Sequence, residues 1–407
     1  MTAQTDGAIA LDGRLLALLL VGAMTIMAGA TISPALPEIE REVATGNNAA
    51  LLTRLVLTVP ALFTALTALF AGAALDRFGR RRILLAAIVL YAFAGPAGGV
   101  VSNVWALLVT RALLGVAVGI VMTASVTLVA DYYSGPNRGE VMGRQAAFAG
   151  IGGIVFLVGG GLLADLSWRA PFAIYLLALP VLAMTWRFLP EPARASSAAG
   201  GKDGRGAVRW KPVAALAALA FTSMVVFYLT PVQIPFHLAA LGTPSGTLAG
   251  IAVASTTLTG AIASALYGRV RARMSRPVTF AILFVLMAVG YAVVAAATGP
   301  VAVIAGLAIF GTGFGLLLPS LNTLAGDLAD ERTRGIVIGA LTTSLFLGQF
   351  ASPLVAQPVI ERFGSAGAYW AGAFVLALLA ICFAASLPFH TAEPTVARRK
   401  AAVEPVD

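Results

Sequence analysis

Arg111 stands alone in an apolar run, LLVTRALLGVAVG from Leu107. If that run is a helix crossing a membrane, helix rise places the guanidinium about 10 Å inside. A charge at that depth is costly and functional by default; it can also snorkel or bond to backbone carbonyls. Proton transfer needs a group whose pKa differs between two environments. Yet none of the 18 carboxylates falls in the middle of an apolar run. Glu38, just after Pro37, is the nearest candidate, followed by Asp131 and then His237. Arg54 is a second basic group near the edge of an apolar run. Tyr228, Gln233, Asn322 and Gln349 are polar groups inside such runs. They can meet a substrate or bond between helices. No nucleophile–base pair, Cys/His cluster or phosphate loop appears, so no enzyme, metal site or cofactor is expected.

The elements that must position these groups are the apolar runs themselves. Hydrophobic residues make up 59% of the chain and charged residues 11%, less than half the share in a soluble domain. Twelve runs approach or exceed the length that spans a bilayer. They are Leu15 to Leu36, Ala50 to Leu75, Ile83 to Val101, Val104 to Val129, Gln145 to Ala164, Pro171 to Leu189, Val213 to Phe236, Leu248 to Tyr267, Val278 to Ala297, Val301 to Ala325, Ile336 to Ile360 and Tyr369 to Leu387. They lack the alternation of barrel strands, which leaves helices. The first run contains Ala28-Gly29-Ala30, of the form of a signal-peptidase site, but its acidic flank reads as a retained span.

With both termini cytoplasmic, 22 of the 27 basic residues lie inside, and Arg41, Arg54, Arg169 and Arg362 lie outside. That asymmetry follows the positive-inside rule and explains the net charge of +9 without nucleic acid. The expected location is the inner membrane.

The two halves repeat. ADYYSGPNRGEVMGR from Ala130 aligns without gaps to GDLADERTRGIVIGA from Gly326, matching Asp131 to Asp327 and Arg138 to Arg334. The expected organisation is a six-helix bundle at 1–189, a Ser/Gly/Ala-rich linker at 190–211, a second bundle at 212–390 and a tail at 391–407. A duplicated six-span unit places a substrate site between the halves.

The loop GAALDRFGRRRIL from Gly72 resembles the signature loop of the major facilitator superfamily, with Gly72, Asp76, Arg77, Gly79 and Arg80 in place. Arg111-x-x-x-Gly115-x-x-x-Gly119 resembles a second motif of that family. The resemblance is nearest to its twelve-span drug and sugar efflux members. It implies an all-α membrane protein with twelve helices in two pseudo-symmetric six-helix bundles. It further implies that Asp76 faces the start of span eleven near Gly335 and latches the cytoplasmic gate. In span five, GGIVFLVGGGLLAD from Gly152 keeps the glycines of the antiporter motif and lacks its proline.

The function expected is proton-coupled efflux of a small molecule by alternating access, by a monomer in the lipid bilayer. The runner-up is an uptake symporter or facilitator for a small organic anion. Arg111, without an evident partner, tilts the expected substrate toward anionic or neutral compounds, so that Arg111→Ala would abolish transport of an anion. A receptor or scaffold lacks outer surface.

Overall fold

The computed structural model describes residues 12–192 and 209–386, except 45, 47 and 331. Residues 193–208 of the expected linker and the whole tail at 391–407 lie outside the described residues. The helices are α1 (Gly13–Ala30), α2 (Leu36–Val43), α3 (Ala49–Phe78), α4 (Arg80–Ala97), α5 (Val104–Tyr132), α6 (Gly135–Leu166) and α7 (Ala178–Phe188). They continue with α8 (Trp210–Phe227), α9 (Leu229–Ala240), α10 (Gly246–Arg273), α11 (Arg276–Ala295), α12 (Pro300–Leu328) and α13 (Arg334–Ala385). Short 3₁₀ turns occupy Ser33–Ala35 and Ala170–Leu177, each with a proline in its first turn.

Twelve crossings result. α1 and α2 form the first, the second 3₁₀ turn with α7 forms the sixth, and α8 with α9 forms the seventh. α13 supplies the last two, turning at Gly364, whose φ of +71° suits glycine. Among the described residues, ten segments are long and apolar enough to cross a membrane by themselves. The difference from twelve has two causes. Arg80, Arg81 and Arg82 dilute the first turn of α4, and the two spans of α13 count as one segment across the turn at Gly364. The structure also lengthens several expected spans. α6 starts at Gly135, ten residues before the apolar run begins at Gln145, because polar residues continue a helix once it leaves the lipid.

The arginine-bearing ends Arg80, Arg138, Arg276 and Arg334 mark one face of the bundle, called here the basic face. Leu166, Gly246 and Gly364 mark the far face.

Two hydrophobic cores form. One runs from Leu15 to Leu189 and takes in Val232; the other runs from Val213 to Ala380 and takes in Leu157. Within the first, α5 lies against α3, because Gly115 and Gly119 admit the backbone of Pro60 and Thr64. Within the second, α12 lies against α10 in the same way, through Gly311 and Gly315 against Thr256 and Gly260. Small residues drive close helix approach in lipid, where no hydrophobic effect pulls helices together. Between the halves, the main contacts are α6 with α10 and α3 with α13.

Candidate functional site

A central cavity of about 510 Å³, partly open to solvent, lies between the two halves. α1, α5 and α6 form one wall; α8, α9, α10, α12 and α13 form the other. The break between α8 and α9 at Tyr228 brings Phe227, Tyr228, Thr230 and Pro231 to its lining. Pro231 and Pro235 remove two N–H donors from α9, so the seventh span cannot run on as one continuous helix. Phe227 stacks on Phe314 with ring centroids 3.7 Å apart and planes within 9°.

The far side of the cavity is sealed by α6 and α10, which run antiparallel and touch at successive turns. Positions for a Cβ on Gly161 and on Gly250 are filled by backbone of the opposite helix, at Gly246 and Leu157. One turn nearer the basic face, Gly153 meets the methyl of Thr257 at 3.7 Å. Farther along, Ala146, Ala261 and Ser264 face the cavity instead of each other. At the far end, the Asp165 carboxylate accepts from the backbone N–H groups of Gly246 at 2.6 Å and Thr247 at 3.0 Å. It thus caps α10, a helix of the other half, where the dipole favours an anion. Ser33 also donates across the halves to the Pro231 carbonyl.

Among the described residues, the basic face holds no comparable seal. Asp76 is exposed and pairs with Arg80 at 3.4 Å, while Gly335 has open space around it. Among the described residues, no hydrogen bond or ion pair joins Asp76 to α13. The expected contact near Gly335 is therefore absent in this arrangement, because the two ends stand apart when the basic face is open. Arg80 also pairs with Asp131, and that bond, first among its causes, raises the guanidinium further above its ordinary range. Arg77 lies over the Phe78 ring, and Gly79 turns the chain with φ of +99°. Gly72 and Arg138 make no cross-half contact; Arg138 is exposed.

Two charged contacts here escaped the sequence. Glu191 accepts from the N–H of Arg80 at 2.6 Å and of Arg81 at 3.3 Å, capping α4. Arg276 pairs with Asp327 in the second half as Arg80 does with Asp131 in the first. Each arginine precedes its carboxylate by 51 residues, a signal the repeat alignment already held.

The remaining candidates scatter. Tyr228 and Gln349 line the cavity. Asn322 is exposed and away from its lining, and Gln233 is wholly buried, its amide without a partner. Glu38 pairs with Arg41 at 3.6 Å on the far face. Arg54 is buried there, bonded to Glu40 at 3.1 Å, with its guanidinium 4.3 Å from the centre of the Phe236 ring. His237 is buried between Ser365 and the Val294 carbonyl. Arg111 is fully buried and is not among the residues that line the cavity. Its Nη2 donates to the carbonyls of Ala94 at 2.8 Å and Gly95 at 2.7 Å. The physical reason is that α4 ends there, and its last carbonyls have no helical partner.

A membrane-spanning bundle of two helical cores, closed at one face around a central cavity, is the architecture of a transporter. The family model described as Major Facilitator Superfamily matches residues 18–353, with an overlapping match at 216–405, and the chain belongs to that family. Similar proteins include the class C tetracycline resistance protein of Escherichia coli, 24% identical over 84% of this chain and 87% of that one. The puromycin resistance protein pur8 of Streptomyces alboniger is 31% identical over 43% of this chain. That match spans about a third of the relative's length, 35%. Among solved structures, the inward-open xylose transporter XylE of Escherichia coli superposes with a TM-score of 0.76 at 16% identity, covering 96% of this chain and 99% of that one. The similarity is one of fold.

Proposed function

We propose that this chain exports a small molecule by alternating access from the cytoplasmic side of the inner membrane. The carrying observation is the central cavity, sealed toward the far face by α6 and α10 and open toward the basic face. The concentration of arginines on the basic face supports reading that face as cytoplasmic. Both walls of the cavity come from one chain, so a monomer suffices. The two lobes, 1–189 and 212–390, rock about the cavity with 190–211 as their tether. The matches to a tetracycline and a puromycin resistance protein support efflux over uptake.

Gating follows from the contacts. The far-face seal of Gly161, Gly250 and Asp165 opens as the lobes rotate. Asp76 then closes on the start of α13 beside Gly335, while Arg80 holds Asp76 and Asp131 together. A carboxylate at that helix N-terminus gains from the dipole.

Coupling to protons is the finer part of this reading. No carboxylate or histidine lines the cavity among the described residues. A coupling proton must therefore bind at a gate and not beside the substrate. Glu38, Asp131 and His237 are the candidates the sequence marked; Asp131 is already held by Arg80, and His237 by Ser365 and the Val294 carbonyl. Transport in proteoliposomes with an imposed pH gradient tests this. Protons moving against substrate flux is the expected result. Protons moving with it would make the protein a symporter, and no proton movement would make it a facilitator.

A further inference from the structure

We infer that the substrate is uncharged when transported, carries a planar apolar group, and is recognised by hydrogen bonds from the second half of the chain. This rests on the transporter reading above and names the chemistry of its cavity. Three observations carry it.

The first is charge. None of the residues lining the cavity is Asp, Glu, Lys, Arg or His. The buried cations nearest in kind, Arg111 and Arg54, are spent on the Ala94 and Gly95 carbonyls and on Glu40. An ion taken from water into this space would lose hydration without gaining a counter-charge. An uncharged compound avoids that loss.

The second is shape. The first-half wall is smooth and built of small or flexible apolar groups, among them Gly29, Gly150, Gly153 and Met122. The second-half wall carries Phe227, Phe314, Phe346 and Tyr228. Aromatic rings on one wall opposite small apolar groups on the other suit a ligand with a flat ring, which stacks offset on an aromatic side chain.

The third is the accounting of polar groups. Thr25 donates to the Gly22 carbonyl, Thr230 is shared with the Tyr291 hydroxyl, and Thr256 points to the Leu307 carbonyl. Tyr228, Thr257, Ser264 and Gln349 line the cavity with no protein partner among the described residues. All four belong to the second half. Unpaired groups at a binding surface confer specificity by being satisfied only when the right ligand binds. The substrate therefore presents both a flat apolar face and neutral hydrogen-bonding groups, such as amide, hydroxyl or carbonyl.

A site-specific protection experiment tests this in inside-out vesicles holding the full chain. Cys382 is exposed and is replaced by serine; Ala261, a small cavity-lining residue, is replaced by cysteine. A maleimide then reports on occupancy. Three probes share one ring system: 2-naphthamide, 2-naphthoate and 2-naphthyltrimethylammonium. The expected result is that naphthamide slows labelling at concentrations at least about tenfold below the two ions. Gln349→Leu should raise the naphthamide concentration needed by about tenfold, the loss of one neutral hydrogen bond. Stronger protection by the carboxylate or the ammonium, or protection by none of the three, overturns the assignment of substrate class. Labelling without any probe tests the transporter reading separately. A thiol at 261 that stays unreactive from the basic face would sink that reading, whereas a reactive thiol guarded by an ion would sink only the substrate class.

Discussion

Replacing Gly161 with leucine should abolish transport while leaving the protein folded and inserted. A Cβ at Gly161 would sit 2.9 Å from the Gly246 carbonyl carbon and 3.1 Å from the Thr247 Cα, and closer still to the Gly246 oxygen. These are backbone atoms of the opposing half, so no rotamer change can clear them. The clash is nevertheless escapable, because the two halves can part. The far-face seal is a contact between lobes and not within one, and a transporter must break it in every cycle. Leucine therefore removes the closed arrangement without removing the fold. Moving a two-state equilibrium from 99:1 to 1:99 takes about 5.5 kcal/mol, within the reach of a backbone clash of this depth. The expected signature is a transport rate at background, with a thiol at Ala261→Cys now modified from the far face and guarded from the basic face.

A control sharpens the point. Gly115 also meets backbone, the Pro60 Cα at 2.8 Å, but both residues belong to one lobe. Gly115→Leu has no rigid-body escape and should cost folded protein. Two glycine substitutions of equal bulk would then fail in different ways. Normal transport by Gly161→Leu would show that the α6–α10 contact is not the seal. Asp165→Ala should act in the same direction more weakly. It removes the cap on α10 but adds no obstruction, and an exposed carboxylate at a helix start contributes about 0.5–2 kcal/mol.

The sequence made the twelve crossings, the duplication and the family loop legible, because each is written in contiguous residues. Long apolar runs have one structural solution in lipid. What stayed hidden depends on rotation and on distance along the chain. Asn322 and Gln349 look alike in an apolar run, yet one residue's step turns a helix by about 100°. That turn decides which of them reaches the cavity, and composition cannot supply it. Gln233 shows the same limit, since its helix begins anew after Tyr228 and resets the register. Glu191 reads as the first charge of a flexible linker, but its partners are the N–H groups of Arg80 and Arg81, more than a hundred residues earlier. The Arg276–Asp327 pair was within reach. Carrying the gapless alignment back from Asp327 by the spacing of Arg80 and Asp131 lands on Arg276.

Arg111→Ala should lower stability steeply, and whatever transport is lost should follow the loss of folded protein equally for substrates of every charge. The side chain is one of the largest wholly buried groups in the molecule, and its role is that of a cap. α4 ends at Ala97, where Pro96 interrupts the helical hydrogen bonding, and the carbonyls of Ala94 and Gly95 point out of its last turn. Inside lipid such groups have no water to turn to. Arg111 reaches them from α5, and its charge also complements the negative end of the α4 dipole. The guanidinium lies 5.1 Å from the centre of the Phe172 ring and 5.2 Å from that of Tyr175, which pins the 3₁₀ turn of span six to the same point. Spans three, four and six thus converge on one cation. Alanine would orphan two buried carbonyls and strip the aromatic contacts, a loss of about 2–5 kcal/mol, a large part of a typical folding free energy. Lysine should recover only part of this, since its ammonium keeps the charge but cannot reproduce the flat guanidinium's contact with the Phe172 and Tyr175 rings. Thermal unfolding of the purified variants in detergent, paired with transport per folded molecule, separates the two roles. A melting temperature that falls in the order Arg, Lys, Ala, with unchanged transport per folded molecule, is the expected pattern. An unaltered melting temperature with selective loss of anion transport would return Arg111 to the substrate path and undo the assignment of the cavity as neutral.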